Sequence, residues 1–146
     1  MEIALEQARM AGARGEVPVG AVVLGPDGAV LARDGNRTEE LRDAAAHAEL
    51  LALRAAARMC GAPRLPGCDL VVTLEPCPMC AAAISLFRIR RLVFAAYDPK
   101  GGGVEHGARV FAASSCLHRP EVIGGVRETE AAEMLRQFFQ DLRGRD

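Results

Sequence analysis

The chain carries His47-Ala48-Glu49 and, thirty residues further on, Pro76-Cys77-Pro78-Met79-Cys80. Two cysteines three apart on a first helical turn can face one point, and an imidazole from a neighbouring helix start supplies a third donor. One His and two Cys leave the fourth corner of a tetrahedral zinc open. Structural zinc is normally closed by four protein ligands, whereas catalytic zinc keeps a water, so this set favours catalysis. Helix N-termini aimed at the metal lower thiolate pKa values and favour an activated water. Glu49 lies two residues past His47, where both border one cavity in a first turn. A carboxylate there takes a proton from water and hands it to a leaving group. The chemistry is hydrolytic deamination: water adds at a ring carbon bearing an exocyclic amine, a ring nitrogen gains a proton, and ammonia leaves.

Each half of this constellation has a blander meaning. A single C-x-x-C can be redox-active or half of a zinc ribbon, although the second C-x-x-C of a ribbon is absent. An isolated His-x-Glu is more often an incidental helix start. Each half here opens a helix after a strand or loop, and the pair together points to catalytic zinc.

The elements that must hold these residues are legible from periodicity. Residues 1–13 form an opening helix with Ile3, Leu5, Ala8 and Met10 on one stripe. Residues 17–24 and 29–33 are apolar runs around Pro26-Asp27-Gly28, a hairpin. Residues 36–43 are a polar loop. Ala45 to Met59 is rich in Ala and Leu without Gly or Pro, a helix stopped by Gly61 and Pro63. Leu70 to Leu74 and Leu92 to Tyr97 are strands, separated by a helix from Cys77 to Phe87, whose first turn tolerates proline. Residues 98–107 form a glycine-rich loop suited to function. Glu121 to Val126 is a last strand, and Glu128 to Leu142 is a helix with Ala131, Met134, Leu135, Phe138, Phe139 and Leu142 expected toward the core. This order implies an α/β fold, a mixed sheet with helices on both faces.

At 146 residues and 50% hydrophobic, the chain suits one domain, 1–146, with a core that needs no disulfides. Its five cysteines and absent signal peptide are those of reduced thiols in the cytoplasm. No apolar run approaches a membrane span. Net charge is −1, which excludes an indiscriminate nucleic-acid field. The charge is uneven, however. Residues 86–120 hold six basic and two acidic groups, and residues 1–50 hold five basic and nine acidic ones. Arg88, Arg90, Arg91, Lys100, Arg109 and Arg119 are therefore candidates for a local RNA contact whose affinity falls with salt.

Beyond these readings, the chain resembles the zinc-dependent nucleobase deaminases and, within them, the bacterial tRNA adenosine deaminases, which convert wobble adenosine to inosine. The His-x-Glu and Pro-Cys-x-x-Cys signature is that family's own. The resemblance runs through residues 16–22, Gly35-Asn36-Arg37, Ala46-His47-Ala48-Glu49, residues 72–80, Asp98-Pro99-Lys100 and Phe138-Phe139. It implies a three-layer α/β/α fold around a central mixed five-stranded sheet, as in cytidine deaminases. It implies one zinc per subunit held by His47, Cys77 and Cys80, with Glu49 moving protons. It further implies that Asn36 hydrogen-bonds the flipped base, Val19 forms an apolar wall, Asp98 contacts ribose or backbone, and Phe139 borders the anticodon loop, with Phe138 as the alternative. The partners so implied are a tRNA anticodon stem-loop and a second copy of the chain, with residues 87–91 either at that interface or forming a solvated helix end. No nucleotide cofactor and no membrane partner is expected. The loop at residues 101–107 departs from the family's Gly-Ala and Gly-Ser pattern, so its contacts do not transfer. Two other functions stay open: deamination of a free base or nucleoside of guanine, cytosine or cytidine type, and a noncatalytic zinc-stabilised subunit, against which Glu49 argues.

Overall fold

Successive side chains along the inner strands point to opposite sides, and on both sides they are apolar. Ala21, Val23, Leu70, Val72, Leu92 and Phe94 pack with Leu53, Ala56 and Ile84, while Val22 and Val71 pack with Ala4, and Ala95 packs with Leu5 and Ala131. A sheet that is apolar on both faces must be covered on both, so helices lie above and below it. The computed structural model describes residues 1–145, leaving the final residue of the expected 1–146 domain outside the described residues. Helices α1 (Glu2–Ala13) and α5 (Glu128–Arg143) cover one face, and α3 (Ala48–Cys60) and α4 (Pro78–Leu86) cover the other.

The five strands are β1 (Gly20–Leu24), β2 (Val30–Gly35), β3 (Asp69–Leu74), β4 (Arg91–Ala96) and β5 (Glu121–Ile123), in the order β2-β1-β3-β4-β5. β1 is antiparallel to β2 and β3, whereas β3, β4 and β5 are parallel, so the sheet is mixed. The register matters for function. Gly20 pairs with Gly35, Ala21 with Val72, and Leu74 with Ala96. Extending those pairs by one or two residues brings Val19, Asn36, Glu75 and Tyr97 to one end of the sheet. Ligands in open α/β sheets bind beyond strand carboxyl ends, and β2, β3 and β4 all finish here.

Three local expectations change. β1 starts at Gly20 rather than residue 17, because Pro18 has no N–H for a ladder. The polar loop at residues 36–43 contains a short helix, α2 (Thr38–Leu41). Its cap is distant in sequence: the buried Glu16 carboxylate accepts hydrogen bonds from Thr38 Oγ1 and from the Glu39 and Glu40 N–H groups at 2.9–3.3 Å. The C-terminal helix forms as expected, but its stripe is not core-facing throughout. Only Ala131 is fully buried, while Phe139 is 41% exposed and Leu142 is exposed too. α5 crosses only one side of the sheet, against β3 and β4, and the far side of its apolar stripe is left beside an open groove.

Candidate active site

His47 and Cys77 occupy equivalent positions, each the last extended residue before a helix, α3 and α4 respectively. Pro78 takes the first helical position of α4, where a missing N–H costs nothing, and Cys80 follows one turn after Cys77. Both helix N-termini therefore converge on one point with their positive ends. His47 Nδ1 lies 3.5 Å from Cys77 Sγ and 3.6 Å from Cys80 Sγ. A tetrahedral zinc with bonds of about 2.0 Å to nitrogen and 2.3 Å to sulfur separates such atoms by about 3.5 Å. The three donors fit zinc, and they are the one cluster of metal-binding side chains among the described residues.

The proton chemistry of these donors agrees with a cation site. The Cys80 thiol beside it is the largest influence on Cys77; against the opposing cost of burial, it and the His47 ring bring the Cys77 thiol down to about 4. Cys80 moves upward, because it shares its proton with Cys77 and is buried beside Glu49. A bound divalent ion takes the place of that shared proton.

Glu49 sits in the first turn of α3 and is 4% exposed. Burial raises its pKa above the ordinary carboxylate value, partly opposed by its own backbone N–H and the His47 charge. A carboxyl group so placed holds a proton more readily than an exposed one.

These residues open onto a cavity of about 370 Å³ lined by Val19, Asn36, His47, Glu49, Cys77 and Asp98, together with Val17, Thr38, Leu74, Glu75 and Gly101. Asn36 does two things. Its side-chain oxygen accepts the Ala48 N–H at 2.8 Å, capping the helix that carries Glu49, and its amide nitrogen has no partner among the described residues. Asp98 spends Oδ1 on the N–H groups of Lys100 and Gly101, at 3.2 and 2.9 Å. Its Oδ2 is left for the cavity.

Val17, Leu74, Asp98 and Gly101 also line a second space of about 570 Å³, completed by Tyr97, Lys100, Leu135 and Phe139 among others. Phe139 thus borders a groove continuous with the cavity. Phe138 does not; it faces Gly12 and Pro18 between α5 and the end of α1. Of the lining residues, Val17, Thr38, Leu74, Glu75 and Gly101 had no role assigned from sequence. Val17, Leu74 and Glu75 lie inside the matched motif runs, which is the one signal that singles them out.

Four of the six basic side chains in residues 86–120 also have partners within the fold. Arg90 pairs with Asp69, Arg91 with Glu121, and Arg88 and Arg119 donate to backbone carbonyls of Ser85, Phe111 and Ala113. Acids distant in sequence neutralise two of the six charges, and two others brace turns. Lys100 and Arg109 are the two without such partners among the described residues. Within residues 87–91, Ile89 is fully buried, while Arg88 borders the cleft beside Leu86.

The cytidine and deoxycytidylate deaminase zinc-binding region matches residues 1–96. The chain belongs to that deaminase family. Within it, the deaminase is 59% identical to the tRNA-specific adenosine deaminase of Agrobacterium fabrum, over 98% of this chain and 93% of the relative. A solved structure of a tRNA:A34 deaminase, in work on A-to-I editing at the wobble position, is 58% identical with a TM-score of 0.91, covering 92% of this chain and 97% of the other. A guanine deaminase from Nitrosomonas europaea shares the fold at 28% identity and a TM-score of 0.81, covering 94% and 81%. The five-stranded, three-layer fold and the zinc dependence expected from the resemblance both hold.

Proposed function

We infer that this chain is a hydrolytic deaminase that converts adenosine to inosine at the wobble position of a tRNA anticodon loop, with residues 1–146 acting as a single catalytic domain. The observation that carries the chemistry is the 3.5 and 3.6 Å spacing of His47 Nδ1 from the two sulfurs, beside a buried carboxylate. Identity of 59% over nearly the whole of both chains supports the substrate.

His47, Cys77 and Cys80 would hold the zinc. When bound there, zinc supplies water activated as a nucleophile at neutral pH. Val19 walls the base on one side, and the free Asn36 amide donates to an acceptor on its edge. Glu49 takes a proton from the attacking water and delivers it to a ring nitrogen, then takes the second proton from the new hydroxyl and gives it to the amine, which departs as ammonia and leaves a carbonyl. Water enters and ammonia leaves, so the exchange balances. A loop base suits this site because it is already partly unstacked and needs little energy to enter.

Phe139 offers a stacking face for a neighbouring base, with Lys100 in the same groove for phosphate. Phe139→Ala should raise KM for an anticodon stem-loop about 10-fold, in line with the worth of one base-aromatic stack. Phe138→Ala should lower Tm and leave KM nearly unchanged. The reverse pattern in steady-state kinetics would reassign the contact.

A homodimer accords with one surface. Leu86 and Leu117, 69% and 84% exposed, flank a cleft formed by α4 and residues 110–117. An exposed apolar surface of this kind is one that a second copy of the chain would cover. Among the described residues no helix is long and apolar enough to cross a membrane, and a tRNA substrate accords with a cytoplasmic enzyme.

The deciding experiment is a substrate panel with zinc-loaded enzyme. Inosine should form in a stem-loop bearing wobble adenosine, while free guanine, cytosine and cytidine release no ammonia. Ammonia from a free base without inosine in the stem-loop would replace the tRNA reading with the guanine-deaminase-like one.

A further inference from the structure

Three carboxylates adjoin the cavity, Glu49, Glu75 and Asp98, and proton transfer employs the first of them. Glu75, two residues before Cys77, has a completely buried side chain. Its Oε1 accepts the Asp98 N–H at 3.0 Å and faces His106 Nδ1 at 2.8 Å. Its Oε2 accepts the N–H groups of Val104, Glu105 and His106 at 3.2, 2.9 and 3.1 Å. All five donors belong to one loop, residues 98–106. Burial works to raise the Glu75 pKa, and the hydrogen bonds from Asp98 and His106 outweigh it, so the group stays below the ordinary carboxylate value. Both of its oxygens are occupied by these five hydrogen bonds. It is therefore unsuited to shuttling protons, in contrast to Glu49.

The loop is shaped to this carboxylate. A Cβ on Gly102 would lie 2.5 Å from both the Asp98 carbonyl oxygen and Glu75 Oε2, and one on Gly103 would lie 2.6 Å from Pro78 N. The Gly103 N–H donates to the Pro76 carbonyl at 2.8 Å. The glycines thus let the loop backbone lie between Glu75 and the start of the helix that carries both cysteines. Val104 adds one buried apolar anchor. His106, in the segment where this chain departs from the family pattern, closes the arrangement from outside, edge-on to Tyr97 with ring centroids 6.0 Å apart.

We propose that Glu75 is a positioning residue of the deaminase: its carboxylate holds the 98–106 loop so that Asp98 meets the ribose or backbone of the target nucleotide, with His106 as its outer side-chain donor. This rests on Asp98 being a substrate contact, as under the proposed function. Glu75→Gln keeps size but turns an amide NH₂ toward donors that need an acceptor.

The test combines kinetics on the anticodon stem-loop, zinc analysis and hydrogen exchange for wild type, Glu75→Gln, Asp98→Ala and the double variant. Glu75→Gln should keep full zinc, raise KM about 10-fold with kcat changed less than about 3-fold, and speed exchange of the Val104, Glu105 and His106 amides about 10-fold or more. The double variant should show little more KM loss than Asp98→Ala, because one residue acts through the other. His106→Asn, at a partly exposed position that leaves the fold intact, should show the same pattern at about 2- to 3-fold. Multiplying KM effects, a kcat loss at unchanged KM, or unchanged exchange at the loop amides would each overturn the role. A wild type that forms no inosine would overturn the substrate reading, and the exchange measurement would still decide whether Glu75 holds the loop.

Discussion

Glu49→Gln should lower turnover about 10²–10⁴-fold while zinc content and fold are retained. The size follows from what one positioned acid-base group contributes, and here a single carboxyl must serve every proton transfer between water, ring and leaving amine. That loss corresponds to about 3–5 kcal/mol of barrier. The amide keeps the shape of the side chain and cannot accept and release a proton in the same way. Stability should move little or rise, because a carboxylate 4% exposed carries a desolvation cost that the amide reduces. A melting curve at or above wild type together with near-zero inosine formation is the expected pair of results. Glu49→Ala should lose turnover equally, with some Tm lost to the space left behind. Turnover within about 10-fold of wild type in either variant would take Glu49 out of the mechanism.

Cys80→Ala removes a ligand that lies at the floor of the site with no solvent exposure. Two donors cannot hold zinc in competition with water and buffer, so metal analysis should find less than about a tenth of an equivalent, against one per chain in wild type. Activity should vanish with the metal. Tm should also fall, because zinc ties the starts of α3 and α4 together, and whatever binds only the folded state stabilises it. Prolonged dialysis against a chelator should reproduce the Tm shift in wild type and leave Cys80→Ala unmoved. Cys60→Ser is the control: Cys60 is an exposed thiol at the far end of α3, and its zinc and activity should match wild type. Retention of a full equivalent of zinc by Cys80→Ala would move the ligand set elsewhere.

The Gly102-Gly103 pair illustrates where local patterns stop being informative. Glycine richness at residues 101–107 signals a loop, and the loop is there. The reason for glycine at those positions is a carboxylate 27 residues earlier in the chain and the first turn of another helix, neither of which a local window contains. Glu16 behaves in the same way, capping α2 from 22 residues away. In both cases a buried acid is satisfied by backbone N–H groups of a distant loop, and a composition-based reading has no access to such pairings. The arginines are ranked by the fold for a related reason: charge counted along a chain ignores the partner across the sheet.

The strands, helices and metal-ligand triad were visible in one dimension because their causes are local. Apolar period, helix-start chemistry and the spacing of Cys77 and Cys80 each operate within about one or two helical turns. The resemblance named the remaining site residues as types, Asn36, Val19, Asp98 and Phe139. Folding added their arrangement: strand register brings Val19, Asn36 and Asp98 to one sheet end, the direction in which each ring leaves α5 separates Phe139 from Phe138, and buried Glu75 secures the loop at the rim. Those outcomes depend on which distant groups must share a limited supply of hydrogen bonds and buried space, and such sharing exists only once the chain has closed on itself.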